Sequence, residues 1–238
     1  MFYYFDWTLL LVLPAMLFAF WAQIKVQSTF SKYSTVIGRG GYTGATAARR
    51  LLDANGLYHV AVMQSNGGKL SDHYDPRNKT LYLSHEVYGS SSAAAVGVAC
   101  HEAGHALQHA REYAPLKLRM QIIPICSVGS NLAMPIFLVG LILSGAAQAG
   151  GEIGYWLMML GIACFSLATF FQLVTLPVEF NASKRAVEGM RDCGILTSDE
   201  IPAAKKVLSA AAMTYVAALA ASLLSLLRLL VIANNRRR

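Results

Sequence analysis

The chain has 238 residues, of which 55% are hydrophobic and 14% charged, with a formal net charge of +7. A soluble domain carries about 25% charged residues, so an ordinary soluble domain is excluded and a membrane protein is indicated. The basic excess flanks apolar blocks, at Lys25 and Lys32, Lys117 and Arg119, Lys184 and Arg185, and Arg236 to Arg238. That is the pattern of the positive-inside rule and anionic headgroups, so the expected partner is the lipid bilayer and no nucleic acid is expected.

The first apolar block, Trp7–Ala22, reaches spanning length when Phe2–Phe5 and Ile24 are included. Nothing before it is basic, as a cleavable secretory signal requires, so residues 1–24 are expected to be a retained transmembrane anchor with Pro14 as a tolerated kink. Residues 25–121 hold most of the polar sequence. Within them, Gly44–Asn55 has helical apolar spacing and should stop near Gly56. His59–Met63 predicts a strand, Ser65 to Gly68 and Asp75 to Asn78 predict turns, and Thr80–Ser84 alternates as a half-buried strand does. Ser90, Ser91 and Ser92 offer N-caps to a helix over about 92–112. That helix is apolar until a polar cluster interrupts it, and a buried polar cluster needs partners, of which a metal is one.

Ile122–Ser144 and Ile153–Leu176 are each long enough to span and form a predicted helix pair over 122–176. The link from Gly145 to Glu152 has no Lys or Arg and should lie outside. Residues 25–121 and 177–206 are then cytoplasmic. The last block, Leu208–Ala233, carries Arg228 in its apolar run, where a charge must snorkel or be paired. Its length favours spanning, with a buried or interfacial helix as the alternative, and residues 207–238 form this helix and a basic tail. Cys100, Cys126, Cys164 and Cys193 make no C-x-x-C pair and are expected to be small apolar fillers.

The polar cluster is His101-Glu102-Ala103-Gly104-His105. At i, i+4 the two imidazoles share one helix face, and together they can bind one tetrahedral Zn2+. Glu102 can then act as the general base on a water that zinc activates. The alternative is a pair of helix histidines in ordinary hydrogen bonds, but small Ala103 and Gly104 leave room for a close neighbour. His109 at i+8 lies about 6 Å further along the axis than His105, which assigns it a structural or solvent role. The third ligand must come from elsewhere in the chain. Glu179, just past the third block, is the favoured candidate, and its alternative is pairing with Lys184 or Arg185. Glu188, Glu86 and Glu112 are weaker competitors.

The runs Ser71-Asp72-His73-Tyr74-Asp75-Pro76-Arg77, Leu81-Tyr82-Leu83-Ser84, Val87-Tyr88, Gly97 to Gln108, Val178 to Ser183 and Thr214 to Ala218 resemble the YugP-type family of neutral zinc metallopeptidases over nearly the whole chain. The layout is also similar to the broader HtpX and CAAX-protease class. This resemblance implies a mainly α fold: an integral-membrane helical bundle with a zincin-like cytoplasmic region holding a short β-hairpin or small sheet. It implies one Zn2+ per chain, held by His101, His105 and Glu179, with Glu102 as the base. That class has an Asp where this chain has Ser183, so a role for Ser183 behind a ligand histidine rests on a hydroxyl without charge.

The expected activity is a membrane-bound zinc endopeptidase acting on peptides or membrane proteins. Tyr88, Tyr215 and Arg185 are candidates for a second electrophile beside zinc. An exposed edge at Leu81, Tyr82 and Leu83 could pair with a substrate strand. The alternatives are a non-catalytic zinc-binding scaffold or chaperone-like adaptor, and a metal transporter. A structural site has no need of Glu102, and the second and third blocks lack the ionisable residues of a transport path.

Overall fold

The computed structural model describes residues 6–68, 71–145 and 150–237. Of the expectations above, those on Phe2–Phe5 and on most of the link after Gly145 lie outside these residues. The described chain is mainly α-helical, with one small sheet: α1 (Leu9–Tyr33), α2 (Gly44–Ala54), β1 (Ala61–Gln64), β2 (His73–Asp75), β3 (Thr80–Leu83), α3 (His85–Tyr88), α4 (Ala93–Ala110), α5 (Ala114–Gly145), α6 (Gly150–Asp192) and α7 (Ile201–Arg237). Four helices, α1, α5, α6 and α7, are long and apolar enough to cross a membrane.

Two compact units divide the chain. The apolar unit takes residues 1–21, 118–175 and 215–238. Within it α5 and α6 approach closely at glycines. A Cβ on Gly140 would lie 2.6 Å from Met158 N, and one on Gly161 would lie 2.8 Å from Phe137 N. Small residues of this kind permit backbone contact where no hydrophobic effect drives helices together. Arg228 is paired: its Nη2 lies 2.7 Å from Asp6 Oδ2, and its Nε donates to Thr8 Oγ1 at 3.0 Å. A charge inside the last apolar run is thereby satisfied by the residues that precede α1.

The second unit takes residues 22–117 and 176–214. Thr43 caps α2 in a reciprocal pair with Thr46, and Gly56 at φ +75° ends it, since only a residue without Cβ adopts that backbone freely. Ser92 caps α4 by accepting from Ala95 N at 3.2 Å. Thirteen of the 18 residues of α4 are buried, as expected for a largely apolar helix that runs through a core. Around it lie Leu51 and Leu52 of α2, Leu81 and Leu83 of β3, Ala186 and Met190 of α6, and Ala204 and Leu208 of α7.

The sheet order is β1-β3-β2. β1 pairs with β3 in parallel, Ala61 opposite Thr80, and β2 pairs with β3 antiparallel, His73 opposite Tyr82. This corrects the expectation that Leu81, Tyr82 and Leu83 form an exposed edge: β3 is the central strand, with Leu81 and Leu83 fully buried. β2 went unrecognised because three residues beside a turn leave no alternation to detect.

Candidate metal centre

The site is made where α6 crosses α4, and Gly104 permits the crossing. A Cβ at Gly104 would stand 2.6 Å from the carbonyl oxygen of Ala182, closer than real side chains come. With that contact made, the two helices run antiparallel in register. Gln108 meets Val178 and Asn181, while His101 and His105 face Glu179.

His101 Nε2 lies 3.3 Å and His105 Nε2 3.5 Å from the same oxygen, Glu179 Oε2. The three candidate ligand atoms fall within 4.8 Å of one another. Glu179 is 2% exposed, so its carboxylate has left water and faces two imidazoles. Burial pushes its pKa up, but hydrogen bonds from His101 and His105 outweigh burial and hold the carboxyl well below its usual range. Burial likewise favours neutral His105, yet the bond to Glu179 and the charges of Glu102 and Glu179 raise its pKa. The cluster thus holds a buried negative charge aimed at two nitrogens, which favours a cation between them. Two imidazoles and one carboxylate are a zinc donor set that leaves a fourth position open.

Each histidine is held from behind at Nδ1. Ser183 Oγ lies 3.1 Å from His101 Nδ1, and Gln108 Oε1 lies 3.0 Å from His105 Nδ1. The Gln108 amide is fixed by its other end, since Nε2 donates to Val178 O at 2.8 Å and to Asn181 Oδ1 at 3.0 Å. A carbonyl only accepts, so Nε2 must face it and Oε1 must face His105. The Nδ1 of His105 therefore carries a hydrogen, and the Nε2 lone pair becomes available to a metal once Nε2 gives up the proton that it shares with Glu179. Gln108, fully buried, is the residue that sequence reasoning missed. Its signal was the i, i+4 spacing from Gly104, which places it under the same crossing helix.

Glu102 is buried on α4 between the two histidines. The Asp72 carboxyl accepts from Ser84 N at 2.8 Å and from Ser84 Oγ. Its pKa is raised by burial first, with the charge of Glu102 adding to the effect. His109 accepts or donates at Nδ1 with Tyr74 Oη at 2.9 Å, the structural role expected for it. Burial and Asp75 push the Tyr74 phenol up to about 12.

Glu188 sits 3.8 Å from Lys184 and Glu112 pairs with Lys117 at 2.9 Å, while Glu86 is in the first turn of α3. Arg185 donates through Nε to Asn181 Oδ1 at 2.7 Å and lies over the Tyr113 ring. Tyr88 packs against the core, and Tyr215 belongs to the apolar unit.

Comparison with known proteins agrees with this chemistry. Residues 8–234 match the family described as "Putative neutral zinc metallopeptidase". The chain is 48% identical over 227 residues to the "Putative membrane protease YugP" of Bacillus subtilis strain 168, covering 95% of this chain and 96% of that protein. No solved structure matches. With four spanning-length apolar helices and a membrane-protease relative, the chain is a multi-pass membrane protein. The family implies Zn2+, and the His101, His105 and Glu179 cluster supplies a fitting donor set. The chain belongs to the neutral zinc metallopeptidase family.

Proposed function

We propose that the protein is a zinc endopeptidase in which His101, His105 and Glu179 hold the metal and Glu102 is the general base. The observation that carries this reading is the convergence of both Nε2 atoms on one buried oxygen of Glu179, with Glu102 between the two histidines on α4. Zinc, when bound, supplies Lewis acidity towards water and the scissile carbonyl. The chain's own residues do the rest. Glu102 takes a proton from the attacking water at its carboxylate and returns it to the leaving amine. Gln108 and Ser183 hold the two imidazoles at Nδ1. An extended substrate would add to β2, the outer strand that packs against α4, through backbone hydrogen bonds with little side-chain selectivity.

The charge pattern supports a cytoplasmic site, because the residues on either side of the basic-free link after Gly145 carry the Lys and Arg. Peptides and membrane-proximal segments of proteins are then the substrate class.

Zinc content and casein cleavage should be measured together on wild type, Glu102→Ala and Glu179→Ala. The reading expects one zinc and cleavage for wild type, zinc without cleavage for Glu102→Ala, and loss of metal for Glu179→Ala. A Glu102→Ala protein that cleaves like wild type would transfer the site to the non-catalytic scaffold reading.

A further inference from the structure

On the face of α6 turned away from Glu179 and Ser183, a cavity of about 530 Å3 opens between α2, the end of α4 and α6. Its lining includes the apolar Leu51 and Leu107 and the charged Arg111, Lys184, Arg185, Glu188 and Asp192. We propose that this cavity is an oxyanion-binding site in which the Arg111 and Arg185 guanidiniums clamp a phosphate or carboxylate group.

The argument rests on how the two arginines are anchored. Arg111 Nη2 donates to Asn55 Oδ1 at 2.9 Å, and Asn55 Nδ2 in turn donates to Leu51 O at 2.9 Å, which fixes the direction of that amide. Arg185 Nε donates to Asn181 Oδ1 at 2.7 Å, and its guanidinium lies 6.0 Å from the centre of the Tyr113 ring. Both forks are therefore oriented by neutral amide oxygens. An amide fixes direction without cancelling charge, whereas a structural arginine is ordinarily neutralised by a carboxylate.

Among the described residues neither guanidinium forms an ion pair. Of the two carboxylates in the walls, Glu188 is engaged by Lys184 at 3.8 Å, and Asp192 leaves the lining with three cations against two anions. Burial, and then the Arg111 charge, lower the Arg185 pKa. Two preorganised like charges facing one concave space are relieved by an anion between them, and a concave wall concentrates the field that draws it in. Arg presents paired N–H donors to the oxygens of phosphate or carboxylate. The source of the group is a soluble anion or the headgroup of an anionic lipid. Neither the clamp nor its test depends on the metal.

The test uses the full chain in nanodiscs of phosphatidylcholine, titrated calorimetrically with inorganic phosphate at constant ionic strength. The same chain is then placed in nanodiscs containing phosphatidylglycerol, and its thermal unfolding is followed. Saturable phosphate binding, weakened about tenfold or more in Arg111→Gln/Arg185→Gln, assigns the site to a soluble oxyanion. Stabilisation by phosphatidylglycerol that the double variant loses, without phosphate binding, assigns it to a headgroup. Glu188→Gln/Asp192→Asn removes both wall carboxylates and should tighten whichever ligand binds, a gain that misfolding cannot produce. The proposal is overturned if neither anion acts, if the double arginine variant responds like wild type, or if removing the carboxylates leaves affinity unchanged.

Discussion

Replacing Gln108 by Leu keeps the volume of the side chain and removes one acceptor and two donors from a fully buried position. The three partners are not affected equally. Val178 O lies within α6 and keeps its helical bond, and Asn181 Oδ1 keeps Arg185 Nε. The His105 Nδ1–H is left with no acceptor. One buried polar group without a partner costs about 1–3 kcal/mol, so the metal-free protein should lose about that much stability. Metal affinity should fall by about 10–100-fold, the usual consequence of removing the group behind a ligand histidine, because neither ring orientation nor tautomer is then fixed.

Gln108→Glu separates the two effects. Its carboxylate still accepts from His105 Nδ1–H and makes that imidazole a stronger ligand, but it sets a charged oxygen against Val178 O and Asn181 Oδ1. Zinc affinity should be kept or raised while the metal-free protein is destabilised. Zinc Kd by chelator competition and thermal unfolding of the metal-free protein read the two quantities independently. If Gln108→Leu binds zinc within about threefold of wild type, an effect too small for a lost anchor, then His105 is positioned by α4 alone and the tautomer argument fails.

Glu102→Gln should retain zinc and lose about 10^2–10^4-fold in peptide cleavage, the contribution of a positioned general base, read as kcat on a peptide substrate beside metal analysis. Gly104→Ala places a Cβ 2.6 Å from Ala182 O. The helices must separate, at about 1–3 kcal/mol, and zinc affinity should fall with the melting temperature because Glu179 moves away with α6. Glu200 accepts from Arg39 N at 2.8 Å and Thr197 N at 3.0 Å. Burial raises its pKa, but these two bonds outweigh burial and lower it. Stability from a depressed carboxyl is fully present above its unfolded pKa, about 4.3, and is lost as pH falls through the folded value. Glu200→Gln should therefore lower stability at neutral pH and flatten the acid limb of a stability-versus-pH curve measured by denaturant unfolding.

The four apolar helices were legible because a span is announced by length and composition alone, and Ser92 and Gly56 marked helix ends through local backbone chemistry. The His101 and His105 pair was legible for a similar reason, since i, i+4 spacing needs only the helix itself. The structure places Glu179 against that pair, although 74 residues separate it from His105, and periodicity carries no information across such a gap. β3 reads as a strand in the sequence, but its central position does not, because alternation tells which residues are half-buried and not which strands lie beside them. Its flanks Leu81 and Leu83 are fully buried, and a central strand shows the same pattern as an edge with one covered face.

Gln108 fell outside reach for a deeper reason. A glutamine near the end of a helix ordinarily faces water, and nothing in its immediate neighbours contradicts that. Its burial follows from Gly104, four residues earlier on the same face. The missing Cβ there admits the α6 backbone, and the antiparallel crossing that brings Ala182 onto Gly104 carries Val178 onto Gln108. The same crossing sets Glu179 opposite His101 and His105 and Ser183 against His101 Nδ1. A single close helix contact thus fixes the candidate third ligand and the groups behind both histidines. Gly104→Ala and Gln108→Leu should for this reason be non-additive in zinc affinity: once the crossing has opened, the anchor is already lost, and the second substitution should add little to the first.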